Sequence, residues 1–512
     1  MTRAARTSHG LAAARAARPI PAGQRIHVMG AAGAGASAAA WLAARAGASV
    51  TGCDPGAPSP YTTALEALGV PVATTHAASH VADGPRRLVD RLAVTKALTS
   101  VDPDHVELRA AVDAGIQPEA WQQVVADCAA SQGGRLVGVA GTHGKSTSSG
   151  WLVHLLTSSG ADPGAFVGAL LPAALTGGPP GTARWGRGDA FVVEADEYAG
   201  NFDAYRPAVS VLLNAEWDHP DVFADEAAVL DAFEAWLRAP GAGSRTLVAN
   251  AGDPGVARLL GRLGDWPGTV VRVALDSDTA GAHGQVDLAG HADREGMLRI
   301  EASDGRWGLV RPVTTRLALA GAHNAANALC VAGAAVVLGV PLDQAMRHLG
   351  TFQGVGRRLE VKGEPRGVLV LDDYGHHPTA IAVTMAAVRE RHPGRRLWAV
   401  YEPLTYHRTA AMLEAFADVL ATADRAVIAD IWAGRDPDTT ITSAAALATA
   451  VSARGSAPAV AAGSVEATAD LLAAEVEPGD VVLVMGGGRS YVIAERLVEA
   501  LGALPGTLPP VR

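Results

Sequence analysis

The residues best suited to chemistry lie in Gly138-Val-Ala-Gly-Thr-His-Gly-Lys-Ser-Thr147. Glycines at this density let backbone N–H groups approach phosphate oxygens, and a following helix would add the positive end of its dipole. Lys145 would neutralise charge on the β and γ phosphates of a nucleotide, and Ser146 would ligate Mg2+. The strict phosphate-loop pattern places Gly at position 139, where this chain has Val139, so the match is to the variant Gly-Thr-x-Gly-Lys-Ser. Mg2+ prefers carboxylate oxygens together with substrate phosphates. Phe191-Val-Val-Glu-Ala-Asp-Glu197 supplies them, with Glu194 at the end of an apolar run and Asp196 and Glu197 able to support or replace it. A second apolar run, Val209 to Asn214, leads into Ala215-Glu-Trp-Asp-His219 and offers His219 as a further metal ligand. Alone, the acidic trio would read as a solvated loop and the histidine as structural. It is the neighbouring phosphate loop that favours ligation.

These side chains need elements to position them. Arg25–Gly30 reads as a buried strand, Ser37–Arg45 as a helix, and Ala48–Gly52 as a second strand ending near Asp54, the start of a βαβ unit. The pattern restarts at Arg135–Ala140, followed by a helix over Ser148–Ser158. It begins a third time at Gly367–Asp373, with further strands at Leu397–Tyr401, Arg425–Asp430 and Asp480–Met485. Three starts in 512 residues predict an α/β protein of three domains. They are an N-terminal Rossmann-like domain over 23–133, a central P-loop ATPase-like domain with a parallel sheet over 134–353, and a C-terminal Rossmann-like domain over 354–512. The Arg-rich, acid-free residues 1–22 read as a disordered extension, and the Gly- and Pro-dense stretch from Leu171 to Gly188 as a loop.

A formal net charge of -10 argues against nucleic acid as a partner. Cys53, Cys128 and Cys330 are too few and too scattered for a disulfide framework or a cysteine-based zinc site, which fits a reducing, cytoplasmic setting. Without a charge-free apolar run of about 18 residues, no membrane span is expected.

Five motifs in order, GTHGKST at Gly141–Thr147, EADE at Glu194–Glu197, NAEWDH at Asn214–His219, GAHNAANA at Gly321–Ala328 and DDYGHHPT at Asp372–Thr379, resemble the Mur ligase family. The resemblance runs from about Arg25 to about Val498. It implies an ATP- and Mg2+-dependent ligase that phosphorylates a carboxylate and passes the acyl group to an amine. The likeness within the family is to members that join L-alanine to UDP-N-acetylmuramate. Carried over by position, it implies that Gly141, Thr142, His143, Gly144, Lys145, Ser146 and Thr147 hold the ATP phosphates, and that Glu194 and His219 bind Mg2+ with Ser146. His323 and Asn327 would contact adenine, while Arg357, Arg358 and Asp373 would reach the nucleotide from the C-terminal domain. Tyr374, His376 and Arg408 would face the amino acid, with Lys145, His376 and Arg358 the catalytic candidates. Gly30, Gly33, Ala34, Gly35 and Ser37, with Asp54, resemble the family's UDP-diphosphate loop. Read alone, that loop is equally an NAD fingerprint, and spacing does not decide between them; the second phosphate loop downstream favours UDP.

Departures from the family pattern are Ala32 for the second glycine of the first loop, Ala36 for its Met, Glu402 for Gln, Thr405 for Arg, and Arg489 for Asp. No lysine stands between His219 and Lys362, so the carbamylated lysine of some sister ligases has no source here. A ligase that takes a ready-made tripeptide, a dinucleotide-dependent oxidoreductase and a non-catalytic nucleotide switch remain as alternatives. The assembly is expected to be a monomer or a homodimer.

Overall fold

A computed structural model of the chain describes residues 10–241, 245–275, 285–293, 295–302, 311–319, 321–434, 436, 438–455 and 458–503. The chain divides into two units, one ending at Gly356 and one beginning at Arg357. The first unit holds two large sheets and a small two-stranded one that pairs Ala82–Asp83 with Arg86–Arg87.

The N-terminal sheet is built on Arg25–Met29, with Ser49–Cys53 on one side and Arg91–Val94 on the other, all parallel. Val72–Ala73 and Glu119–Ala120 complete its edges. Ile26, Val28 and Met29 are fully buried, which is why this strand reads as a continuous apolar run. Ala34–Arg45 follows as a helix whose small residues Ala38, Ala39 and Ala40 are buried.

The second sheet has ten strands. Its parallel core runs in the order Gly164–Leu171, Ala190–Ala195, Arg135–Ala140, Val209–Leu212, Thr246–Asn250, Thr269–Leu275 and Leu288–Ala292. Antiparallel strands close both edges, Gly181–Arg184 at one and Met297–Ala302 with Val313–Arg316 at the other. The phosphate-loop helix Lys145–Ser158 and the helix Ala322–Val337 pack on this sheet through Trp151, Leu152, Leu329 and Val331, all buried. Each parallel strand delivers its last residue to one edge, where open α/β sheets bind ligands.

The second unit has a six-stranded sheet in the order Glu360–Gly363, Leu369–Asp373, Val481–Gly486, Leu397–Glu402, Arg425–Ala429 and Val460–Gly463. Only the first of these strands is antiparallel to its neighbour. Val370, Val400, Val484 and Ile493 belong to a core of its own.

Two expectations need correction. Residues 10–22 are ordered against the N-terminal domain. Arg15 makes two hydrogen bonds to Asp127 at 2.9 and 2.6 Å, Ile20 donates its N–H to Ser131 Oγ at 2.7 Å, and the Ile20 side chain is buried. The stretch from Leu171 to Gly188 is a hairpin return, in which Gly181–Arg184 pairs back on Gly164–Leu171 after a short helix at Ala173–Thr176. Its Gly and Pro residues mark the turn, and strand partners on either side satisfy the backbone.

Candidate functional site

The strand Arg135–Ala140 ends at Gly141, whose φ of 142° a side chain would rarely adopt, and the loop then turns into the helix beginning at Lys145. Gly144 is left-handed at φ 79°, and a Cβ there would stand 2.7 Å from Asn327 Nδ2. Asn327, expected near adenine, thus lies directly against the phosphate loop. The loop is further clasped by Asn214, which accepts the His143 N–H at 2.7 Å and donates to the His143 carbonyl at 3.0 Å. Thr142 exchanges hydrogen bonds with the Glu216 backbone at 3.0 and 2.9 Å, and His143 Nε2 lies 3.0 Å from Glu216 Oε2.

Lys145 Nζ donates to Glu197 Oε2 at 2.9 Å, to the Gly141 carbonyl at 2.7 Å and to the Thr142 carbonyl at 3.2 Å. Asp196 Oδ1 stands 3.7 Å away. Burial would lower the lysine pKa, but Glu197, Asp196 and Glu194 outweigh it and raise it. Burial pushes Glu197 up to about 7 against the pull of Lys145, with the Asp196 charge adding to the rise. Asp196 moves the other way, because Lys145 and His219, together with hydrogen bonds from Asn201 and the Tyr198 N–H, outweigh its burial. Ser146 Oγ donates to Glu194 Oε1 at 3.0 Å, and Glu194 Oε2 accepts the Gly168 N–H at 2.6 Å.

The metal candidates therefore fall into two neighbouring sets. Ser146 pairs with Glu194, whereas His219 gathers with Asp196 and Glu197, one donor atom of each lying within 4.8 Å of the others. His219 sits at φ 55° and stacks edge-on to Tyr198 with ring centroids 4.7 Å apart. A non-glycine residue held in that region is a feature found most often where a side chain must be aimed. Glu197 Oε1 is buried without a hydrogen-bond partner among the described residues, an oxygen donor whose chemistry fits a divalent cation. The sequence pointed to Glu194, with Asp196 and Glu197 as possible supports or replacements, and it is Glu197 that pairs with Lys145 at 2.9 Å. Lys96 went unnoticed there; it reaches from the N-terminal domain to the Ala199 carbonyl at 2.7 Å, and burial lowers its pKa against the Asp203 and Asp196 charges. Burial lowers the His323 pKa to about 4, keeping that ring neutral.

In the N-terminal domain, Gly33 caps the helix Ala34–Arg45 without a side-chain hydrogen bond, leaving the helix start suited to an anion. Asp54 clasps this loop, accepting Ala32 N–H at 3.0 Å and Gly56 N–H at 2.7 Å. Gly30, at φ 81°, donates to the Cys53 carbonyl. Ser37 is buried, its hydroxyl on the Ala34 carbonyl and 3.3 Å from Thr182 Oγ1, and a Cβ on Gly35 would strike the Trp121 ring at 2.2 Å. Those two positions serve packing in this arrangement.

In the second unit, Arg357 holds its buried guanidinium between Asp372 Oδ2 at 3.2 Å and both the Gly486 carbonyl and Ser490 Oγ at 2.8 Å. Arg358 lies over the Tyr374 ring at 5.0 Å. Asp373 accepts the N–H groups of Leu359 and Gly375 at 2.8 and 2.7 Å, and burial raises its pKa against the pull of Arg358. His376 Nδ1 is 2.9 Å from the Tyr374 carbonyl. Arg408 is buried in the short helix Tyr406–Ala411. Glu402, one of the departures, is also buried, with Oε2 unpartnered among the described residues and its pKa raised by burial.

Three family models match in register with these sheets: the Mur ligase family catalytic domain over residues 25–132, the Mur ligase middle domain over 139–335 and the Mur ligase glutamate ligase domain over 357–488. A UDP-N-acetylmuramate--L-alanine ligase of Frankia casuarinae is 34% identical, over 94% of this chain and 98% of its own. The chain belongs to the Mur ligase family. Another relative, the UDP-N-acetylmuramate--L-alanine ligase of Kineococcus radiotolerans, is 37% identical over 93% of this chain and 96% of its own. Among solved structures, a UDP-N-acetylmuramate-alanine ligase from Thermotoga maritima superposes with a TM-score of 0.73 at 22% identity, covering 93% of this chain and 98% of that one. The three-domain Mur ligase fold is thus shared across the chain. No helix among the described residues is long and apolar enough to cross a membrane.

Proposed function

We propose that this chain is an ATP- and Mg2+-dependent ligase that joins L-alanine to the carboxylate of UDP-N-acetylmuramate, working in peptidoglycan precursor synthesis in the cytoplasm. The observation that carries the reading is the phosphate loop itself: Lys145 2.9 Å from Glu197, and Ser146 3.0 Å from Glu194 on the neighbouring strand. The L-alanine acceptor is supported by the names of relatives more than 30% identical along nearly their whole length.

In this reading Lys145 binds the β and γ phosphates of ATP and disperses the charge that spreads over the γ-phosphoryl group as the sugar carboxylate attacks it. ADP leaves, and the carboxylate oxygen carries the phosphoryl group as an acyl phosphate. The alanine nitrogen then attacks the acyl carbon, and the tetrahedral intermediate collapses with loss of phosphate to the amide. Ser146 with Glu194, and Glu197 with Asp196 and His219, are the residues that would hold Mg2+. When bound, that cation supplies positive charge to the phosphate oxygens. Gly33 and the helix start at Ala34 would receive the UDP diphosphate. Arg358, Asp373, Tyr374, His376 and Arg408 would serve the nucleotide and amino-acid ends from the second unit. Because an acyl phosphate hydrolyses in water, closure of that unit over the intermediate is part of the proposal.

The test is ADP release by the full chain with UDP-N-acetylmuramate and, in turn, L-alanine, glycine, L-serine or a tripeptide. Release that depends on both the sugar nucleotide and L-alanine is expected. Release with the tripeptide alone would replace L-alanine as acceptor, and binding of nicotinamide dinucleotide without ATP turnover would discard the ligase reading.

A further inference from the structure

Four elements of the N-terminal domain each bring one metal-binding side chain to a common point. His27 comes from the strand Arg25–Met29, Cys53 from the end of Ser49–Cys53, His80 from the turn Ala78–His80 and Glu107 from the helix Val106–Asp113. One donor atom from each lies within 4.8 Å of every other. His27 Nε2 is 3.2 Å from Cys53 Sγ, Cys53 Sγ is 3.2 Å from Glu107 Oε2, and His27 Nε2 is 3.9 Å from Glu107 Oε2. Tetrahedral zinc with ordinary ligand distances holds neighbouring donors about 3.3–3.6 Å apart. These spacings bracket that range. The His80 Nδ1 to Glu107 Oε1 contact, 2.7 Å, is a hydrogen bond that a cation would open slightly.

We propose that this cluster is a structural site for a thiophilic divalent cation of the zinc class, ligated by His27, Cys53, His80 and Glu107. Charge favours it. His27, Cys53 and Glu107 are essentially inaccessible to solvent, and Glu107 is surrounded by the Ala77 N–H, the Cys53 thiol and the His80 ring. None of those three partners is a permanent cation. A zinc-class ion bound by one thiolate, one carboxylate and two neutral imidazoles has no net charge, so the buried unit is neutral once the Cys53 proton has left to solvent. The outer contacts suit the same purpose. Thr51 Oγ1 lies 2.7 Å from His27 Nδ1, so an Nδ1–H donating there turns the Nε2 lone pair toward the cluster, and the Ala77 N–H fixes Glu107 Oε1 at 2.8 Å. The His80 side chain is 23% exposed and opens a path for entry. His76, with Nδ1 3.2 Å from Cys53 Sγ, borders the site. The scattered cysteines hid this arrangement, because its donors are about 25 residues apart in sequence and meet only through the sheet. Its consequence is local: the Cys53 carbonyl accepts the Gly30 and Ala31 N–H groups at 2.9 and 3.2 Å, so the cation would pin the strand end that shapes the first glycine loop.

The test uses the full chain, stripped with a chelator and titrated with Co2+. A thiolate-to-cobalt charge-transfer band saturating at one equivalent is expected, displaced by Zn2+, together with a higher thermal midpoint for the zinc-loaded protein. Cys53→Ser should abolish the band and the zinc-dependent shift, whereas Cys128→Ser should keep both. The Asp196, Glu197 and His219 set contains no sulfur and cannot give that band. If Cys53→Ser does not fold by circular dichroism, Glu107→Gln, which keeps the thiol, should weaken Zn2+ binding at least about tenfold. Absence of the band in the native protein, a band that survives Cys53→Ser, or unchanged Zn2+ affinity in Glu107→Gln would overturn the proposal.

Discussion

The Lys145 ammonium has three N–H donors, and Glu197, the Gly141 carbonyl and the Thr142 carbonyl already take them. A triphosphate that engages Lys145 must therefore displace at least one acceptor. Glu197 is the one whose release has a use, because its freed carboxylate, beside Asp196 and His219, becomes available to a cation arriving with the phosphates. The ion pair thus reads as a placeholder for substrate charge. Lys145→Met should reduce ADP release by at least about a hundredfold, since one electrostatic contact to a transferring group has that weight. It should also destabilise the protein by roughly 3–5 kcal/mol, because it leaves a buried carboxylate without its partner. Adding Glu197→Gln should restore most of that stability in denaturant titrations and none of the turnover. A Lys145→Met protein as active as the wild type would remove Lys145 from the chemistry, and one as stable would remove the ion pair from the fold.

At the level of elements, the strands were the most legible part of the sequence. A strand buried on both faces must be apolar throughout, so Arg135–Ala140 and Ala190–Ala195 stand out, and the glycines between strand and helix follow from the turn they must make. Which of three nearby carboxylates would meet Lys145 was not legible. Glu194 and Glu197 are three residues apart across a strand end, and their assignment depends on how the chain leaves Ala195 to enter the turn at Tyr198–Ala204. Residues 10–22 were misread for a different reason. Ala- and Arg-rich segments show no apolar period, and their partners Gln123, Asp127 and Ser131 lie more than 100 positions away. Arg15 and Arg91 share the buried Asp127 carboxylate, so the segment closes a network rather than trailing from it. Replacing Arg15 and Ile20 together by Ala should cost about 1–3 kcal/mol, the range for losing one partly buried ion pair and one buried aliphatic side chain. Thermal denaturation of the double variant measures it; an unchanged midpoint would return the segment to the status of a loose extension.

For the whole molecule, the boundary between Gly356 and Arg357 matters more than any single contact, because each unit has its own core. Arg357 and Leu359 both adopt positive φ, 58° and 50°, just past that boundary, and Arg357 is anchored to Asp372, Gly486 and Ser490 of the second unit. The chemistry proposed here calls for movement between the units, since an acyl phosphate survives only where water is excluded, whereas substrates need an open path. A ligand shifts that equilibrium only by its preference for one arrangement. ATP alone is expected to engage the phosphate loop without the second unit, whereas a nucleotide and a sugar carboxylate held together should favour a closed arrangement. With fluorophores on cysteines introduced at the exposed positions Arg258 and Arg454, the native Cys53, Cys128 and Cys330 being buried, the inter-unit distance distribution should narrow when a non-hydrolysable ATP analogue and UDP-N-acetylmuramate are added together, and change less with either alone. A distribution indifferent to both ligands would mean that the reactive intermediate is protected by some means other than movement of the second unit.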